Sequence, residues 1–280
     1  MPAFFYPMKI PLLLILVCST TPLLASPTLE TDIKPGALYF DYKEFDSAGD
    51  TLNEEKGWVP GLTFEASAVS TPWRVSAIIE YFSGDTSYDG STQTGAGLNS
   101  HTEQRFFSLA LNAQRSLFDS GLDGYVRLQR NHWRRHIQAT ANTVELLERY
   151  RWLTIETGVA GRYALVPSTP LATSAPAHEL QWRVGTFWTR NGKITANLDV
   201  LNLGDVELDL SNGRGWTGAV SYQARLLDST TFSLGLEYRQ WRISRGSGKN
   251  FSNGSQIFTI AEPSSKTRRS LFFIGLGTSF

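Results

Sequence analysis

The segment Leu271-Phe272-Phe273-Ile274-Gly275-Leu276-Gly277-Thr278-Ser279-Phe280 alternates with a period of two. Phe272, Ile274, Leu276, Thr278 and Phe280 fall on one side of an extended chain. Phe273, Gly275, Gly277 and Ser279 fall on the other. Successive side chains of a strand point to opposite faces, so the segment reads as a strand with one apolar and one small or polar face. Comparable alternation recurs along most of the chain, which predicts an all-β protein.

The N-terminal region has a different character. Lys9 is the only charge before Glu30, and it precedes the apolar run Ile10 to Val17 and then small and polar residues to Ala25. A basic start, a short apolar run and a small residue at the cut predict a secretory signal peptide over 1–25, cleaved after Ala25. The run is too short for a comfortable membrane helix. Cys18 is the only cysteine and lies in this segment. Val17 stands where a lipoprotein signal requires a small residue. The mature chain, 26–280, is thus expected to hold no disulfide and no thiol chemistry.

Lysine and arginine number 26 and aspartate and glutamate 26. That balance provides no basic field for nucleic acid. Mean hydropathy is −0.20, and no later window holds the roughly 18 apolar residues of a helical span. A spanning strand needs about 9–11 residues with half of them facing lipid. Eight Trp, ten Tyr and sixteen Phe suit aromatic girdles at membrane interfaces.

Ten strands are predicted. They run near Ala37–Phe45, Trp58–Val69, Trp73–Phe82, Thr102–Arg115, Leu122–Arg134, Glu145–Tyr163, His178–Arg190, Gly215–Leu227, Thr231–Arg245 and Thr267–Phe280. Their connections alternate between long polar segments and short turns, as in barrels with long external loops and short periplasmic turns. The stretch Asn191 to Arg214 reads either as an extended outer loop or as an extra hairpin turning at Asn191-Gly192 and Leu203-Gly204-Asp205. The second reading gives twelve strands. The expectation is an antiparallel up-and-down transmembrane β-barrel of about ten strands, formed by 26–280 as one domain.

The closing strand ending on Phe280 resembles the assembly signal of Gram-negative outer-membrane β-barrels. Asp85-Thr86-Ser87-Tyr88-Asp89-Gly90-Ser91-Thr92-Gln93-Thr94-Gly95 and Glu262-Pro263-Ser264-Ser265 resemble segments of uncharacterised proteobacterial barrels of similar length. The resemblance implies export to the outer membrane, contact with its lipids and with the β-barrel assembly machinery, and no particular activity.

Charges on the predicted inner faces form a candidate lumen network: Asp41, Lys43, Glu65, Arg74, Glu80, Arg127, Glu156, Arg162, Arg183, Arg225, Glu237 and Arg239. Side chains largely fill a narrow barrel, and buried charges have to pair. A salt-bridged plug is therefore favoured over a charged channel. Arg134 and Arg135, beside Trp133 at the predicted outer rim, are candidate contacts for lipopolysaccharide phosphates.

No cofactor or metal is expected. Asp205, Glu207 and Asp209 alternate on one face, but alternate strand residues stand about 6.8 Å apart, wide for one ion. Small barrels include omptin-type proteases, deacylases and phospholipases. Asp85 and Asp89 are four apart rather than the two of the omptin acidic pair, no Asp-x-His occurs, and His101, His132, His136 and His178 lack a serine two places on. These departures disfavour an enzyme. The expectation is a barrel with a filled or narrow charged lumen and exposed loops, in a structural or surface-interaction role. A small channel and a rim-site hydrolase are the alternatives.

Overall fold

The computed structural model describes residues 26–91, 97–117, 121–141, 143–166, 178–227 and 229–280. The predicted signal segment lies outside them. The long strands are β1 (Thr28–Phe45), β2 (Thr51–Ser70), β3 (Trp73–Ser91), β4 (Gly97–Ser116), β5 (Leu122–Ile137), β6 (Leu146–Val166) and β7 (His178–Asn197). A short β8 (Asp205–Asp209) precedes β9 (Gly213–Leu227) and β10 (Thr230–Ile243). A small hairpin of β11 (Lys249–Ser252) and β12 (Ile257–Ile260) precedes β13 (Ser264–Ser279).

Each long strand pairs antiparallel with its chain neighbour, β13 pairs with both β10 and β1, and β6 pairs with β7. The sheet therefore closes as a ten-strand barrel. The segment Asn191 to Arg214 adds no spanning pair. Asn191, at φ 51°, sits in a register shift of β7. The turn lies at Asp199–Gly204, and β8 returns along the top of β7 before β9 continues down its lower part. A two-residue adjustment at Asn191-Gly192 is thus a bulge rather than a turn.

From Gly36, direct register partners lead one way through Gly61, Phe82, Phe106 and Trp133 to Tyr150. The other way they lead through Phe273, Gly235, Ser221 and Gln181 to Arg162. Both ends lie on β6, a stagger of twelve residues. With strands about 4.8 Å apart and a rise of about 3.3 Å, this tilts the strands by roughly 40°.

The outer wall carries Ile33, Leu62, Ile79, Leu111, Val126, Val184, Val220 and Ile274, all exposed. An apolar surface of that extent, right round the barrel, matches a lipid-facing band. Aromatic residues mark its upper limit: Tyr39 against Trp58, Trp216 against Tyr238, and Trp188. Trp73, Tyr163 and Trp182 lie toward the other limit. The end with the short turns is the inner mouth, and the strands run on well past the upper aromatic residues toward the outer mouth. Segments expected as outer loops, such as Asp46–Lys56 and Ser83–His101, are largely strand for that reason.

Candidate functional site: a lumen sealed in its outer half

Inside the barrel, side chains are stacked in layers. The outermost is centred on Arg135, whose side chain is 2% exposed. Its guanidinium meets Glu44 at 3.1 Å, Glu148 at 2.6 Å and Glu55. It also lies 5.2 Å from the ring centre of Tyr42. Tyr42 donates to Glu44 at 2.7 Å, and Asn53 donates to the other oxygen of Glu44 at 2.6 Å. Tyr150 lies within hydrogen-bond reach of both Glu148 and Glu262, 3.1 Å from each. Glu262 belongs to the segment between β12 and β13, so the last outer loop folds its carboxyl into this ring. Burial first, and then the carboxylates of Glu44 and Glu148, push the Glu262 carboxyl well above the usual carboxylate range. By register the whole ring stands above the upper aromatic residues, outside the lipid band.

Beneath it lies an aromatic layer of Phe40, Phe82, Phe106, Trp133, Tyr150 and Trp152, all buried. Trp133 stacks on Tyr150 with centroids 4.4 Å apart, and Phe40 meets Phe106 at 5.0 Å. A Cβ on Gly61 would run into the Phe82 ring, so glycine lets that ring lie flat against the wall. A third layer is polar and continuous. Ser108 donates to Glu80 at 2.7 Å, Gln129 to Ser108 at 2.9 Å, and Arg239 to Gln129 at 2.8 Å. Arg239 also holds Glu156, which accepts from Tyr125 at 2.8 Å, and Arg183 pairs with Glu237 at 2.6 Å. Below this the lumen opens into a cavity of about 240 Å³ that reaches the inner mouth beside Pro72 and Ser116.

The sequence-derived network divides into two groups. Glu65, Arg74, Glu80, Arg127, Glu156, Arg162, Arg183, Arg225, Glu237 and Arg239 occupy inward register positions. Glu65 pairs with Lys34 at 2.8 Å, Arg74 with Glu30 at 2.7 Å, and Arg162 approaches Asp123 at 3.8 Å. Asp41 and Lys43 require correction: both are on the outer wall, bound to Arg268 at 3.3 Å and Glu54 at 3.0 Å. The reason is parity, since Leu38, Phe40, Tyr42 and Glu44 take the inward positions of β1. Arg135 requires the same correction. Arg134 faces out, so its neighbour faces in, and Arg135 is beyond the reach of any headgroup.

Sequence reasoning missed the Arg135 ring altogether. One signal was present: the inward odd positions Tyr125, Arg127, Gln129 and Asn131 continue to Trp133 and Arg135. Glu55 and Glu262 fall between the predicted strands, where no face is defined.

The upper outer wall is strongly basic. Lys43, Lys266, Arg242 and Arg214 are direct cross-strand partners in one file, as are Arg105, Arg134 and Arg149. Arg214, Arg242 and Lys266 make no hydrogen bond or ion pair among the described residues. Asp209 pairs with Lys249 at 2.7 Å, Glu207 with Lys193 and Arg151, and Asp205 with Arg149 at 3.6 Å. Each carboxylate of that triplet thus faces a cation. Among the described residues no group of His, Cys, Asp and Glu has a metal-holding arrangement. His136 contacts Glu145 at 2.9 Å and Glu103 at 3.6 Å on the outer wall.

No family model and no curated protein matches the sequence. Solved structures do. The outer membrane protease OmpT from Escherichia coli superposes with a TM-score of 0.55 at 10% identity, over 93% of this chain and 99% of that one. The fold is that of an outer-membrane β-barrel. More distant barrels include the translocator domain of autotransporter NalP from Neisseria meningitidis, at TM-score 0.42 and 10% identity over 89% of this chain and 88% of that one. OprG from Pseudomonas aeruginosa gives 0.36 and 11% over 91% and 97%. At these identities the likeness extends to the fold, and these neighbours carry different roles on it.

Proposed function

We propose that this chain is an integral outer-membrane barrel, sealed across its outer half, that works at the outer surface by binding lipopolysaccharide and presenting its hairpins. The observation that carries this is the unbroken packing from the Arg135 ring through the aromatic layer to the Arg239 layer. Opening a pore would require breaking buried ion pairs, each a matter of about 3–5 kcal/mol when one partner is lost. The cation files supply the lipid contact. Like charges directly opposite across a sheet are destabilising, and the run Lys43–Lys266–Arg242–Arg214 stands just above the aromatic residues that mark the lipid boundary. The phosphates of a lipopolysaccharide headgroup sit at that height and would supply the missing counter-charge. Arg134 belongs to the second file. The outward apolar series Phe272, Ile274 and Leu276, ending in Phe280, is the part that the β-barrel assembly machinery would engage during export.

Planar-bilayer recording tests the seal, with no stepwise conductance expected from the folded protein. Discrete ion-selective steps overturn the sealed reading and favour a channel. Lipopolysaccharide retention by the triple variant Arg214→Gln, Arg242→Gln, Lys266→Gln tests the surface. We expect at least tenfold weaker, less salt-sensitive binding, and unchanged retention overturns the lipid reading. A rim hydrolase has its footing in the His136–Glu145 contact. His136→Ala would then abolish cleavage of a peptide or lipid substrate that the wild type cleaves.

A further inference from the structure

The cavity at the inner end of the lumen contains one cation that the network leaves over. Arg127 lies on β5, directly opposite Asn112 on β4 and Glu156 on β6. It is 5% exposed and lines the cavity. Among the described residues it makes no hydrogen bond and no ion pair within 4 Å.

Glu65, Glu156 and Glu237 are near enough to act on it electrostatically, but each is bonded to another cation. Glu156 accepts from Tyr125 on one oxygen and from Arg239 on the other. Glu237 is held by Arg183, and Glu65 by Lys34. Both oxygens of Asp123 accept hydrogen bonds, from Gln114 at 2.6 Å and Ser116 at 2.8 Å. Asn112, Arg127's cross-strand neighbour, is 7% exposed and its side-chain oxygen has no partner. A guanidinium offers five donors in a planar fork that fits a carboxylate or a phosphate bidentately. A buried cation without a counter-ion is unfavourable by several kcal/mol. Arg269, higher in the bore, also lacks a hydrogen bond and an ion pair among the described residues, but it lies over the rings of Phe82 and Phe106. Of the cations that line the cavity, Lys34, Arg74, Arg162 and Arg183 each have a carboxylate partner and Arg127 does not.

We propose that Arg127 is the receptor for the oxyanion of a small solute, a carboxylate or phosphate, that enters the barrel from its inner mouth. The entry side follows from the fold. The aromatic layer and the Arg135 ring close the outer route, while the cavity reaches the inner mouth beside Pro72 and Ser116. The pocket is a dead end, so it would capture a periplasmic solute and not pass it across the membrane. This reading is independent of the lipid contact at the opposite end of the barrel.

The test is calorimetric titration of the barrel, refolded in zwitterionic detergent and verified by heat-modifiable gel mobility. Inorganic phosphate and succinate are the two probes. The expectation is saturable one-to-one binding of at least one probe, weakened tenfold or more in Arg127→Gln and unchanged in Arg245→Gln at the exposed outer end of the barrel. If neither probe binds saturably, water alone serves Arg127 and the proposal fails. Equal binding in Arg127→Gln also overturns it, and loss in Arg245→Gln assigns the anion to the outer end. Should Arg127→Gln not refold, Arg127→Lys retains the charge without the fork. Severalfold weaker binding in that variant supports the proposal, and unchanged binding overturns it.

Discussion

Replacing Arg135 by Met removes one cation from a buried ring that contains Glu44, Glu55, Glu148 and Glu262, while keeping similar side-chain bulk. The magnitude follows from what the ring can do in response. Loss of one positive charge is offset by uptake of one proton, and placing a proton at pH 7 on a carboxyl of ordinary pKa near 4.3 costs about 3.7 kcal/mol. The expected loss of stability is therefore about 4 kcal/mol at pH 7, within the range for breaking a buried pair. The sign with pH is fixed. In the variant, folding takes up a proton that the unfolded chain releases above about pH 4.3, so the folded state regains stability as pH falls. The deficit should shrink by about 1.4 kcal/mol per pH unit and be about 1 kcal/mol or less near pH 4.5. Urea titration of the barrel in lipid vesicles, read by tryptophan fluorescence at pH 7, 6, 5 and 4.5, measures this directly. Arg242→Met, on the exposed outer wall, is the control and should show no such slope. A deficit below about 1 kcal/mol at pH 7, or one that does not change with pH, would refute the reasoning.

Other outcomes follow from the same structure. Val220, exposed at 42% on the outer wall, lies within the lipid band, so Val220→Arg should cost up to about 2–4 kcal/mol. Ser221→Arg points into the cavity and should cost under about 1 kcal/mol in the same vesicle titration. Ser108→Arg does not share that tolerance, because Ser108 is buried and bonded to Glu80; overpacking there should cost about 1–3 kcal/mol. Glu262→Gln should stabilise the barrel at pH 7. The buried carboxyl weighs against folding above the unfolded-state pKa near 4.3 and has no effect below it, so the gain should vanish in urea titrations run near pH 4. Phe280→Ala leaves the backbone pairing of Phe280 with Leu29 in place, and the expected result is slower assembly in the cell with little change in urea midpoint.

Much of the barrel is legible in the sequence. Period-two alternation carries strand identity because a strand sends consecutive side chains to opposite faces whatever surrounds it. Thus Phe272, Ile274 and Leu276, read as one apolar face, are the lipid-facing residues of β13. The inward positions of Glu65 and Arg127 follow from the same rule. Alternation names the two faces but not which one is the inside. On β1 both faces mix polar and aromatic residues, and the charges of Asp41 and Lys43 point a reading of the sequence to the wrong face. Tertiary closure reversed that: the stagger of twelve residues carries Phe40 and Tyr42 to the level of Phe106, Trp133 and Tyr150, where aromatic rings fill the bore. The Arg135 ring needed five separate segments brought to one height, including Glu262 from beyond the last hairpin. No spacing along the chain encodes such a meeting, because its bonded partners are up to 112 positions apart and the circuit that joins them exists only once the sheet has closed. The isolation of Arg127 is likewise a tertiary fact, for it depends on where Arg239 and Tyr125 reach and not on which residues flank it. Local periodicity thus determined the strands and most of their faces. Closure of the sheet decided which charges pair, which are left over, and where the bore is shut.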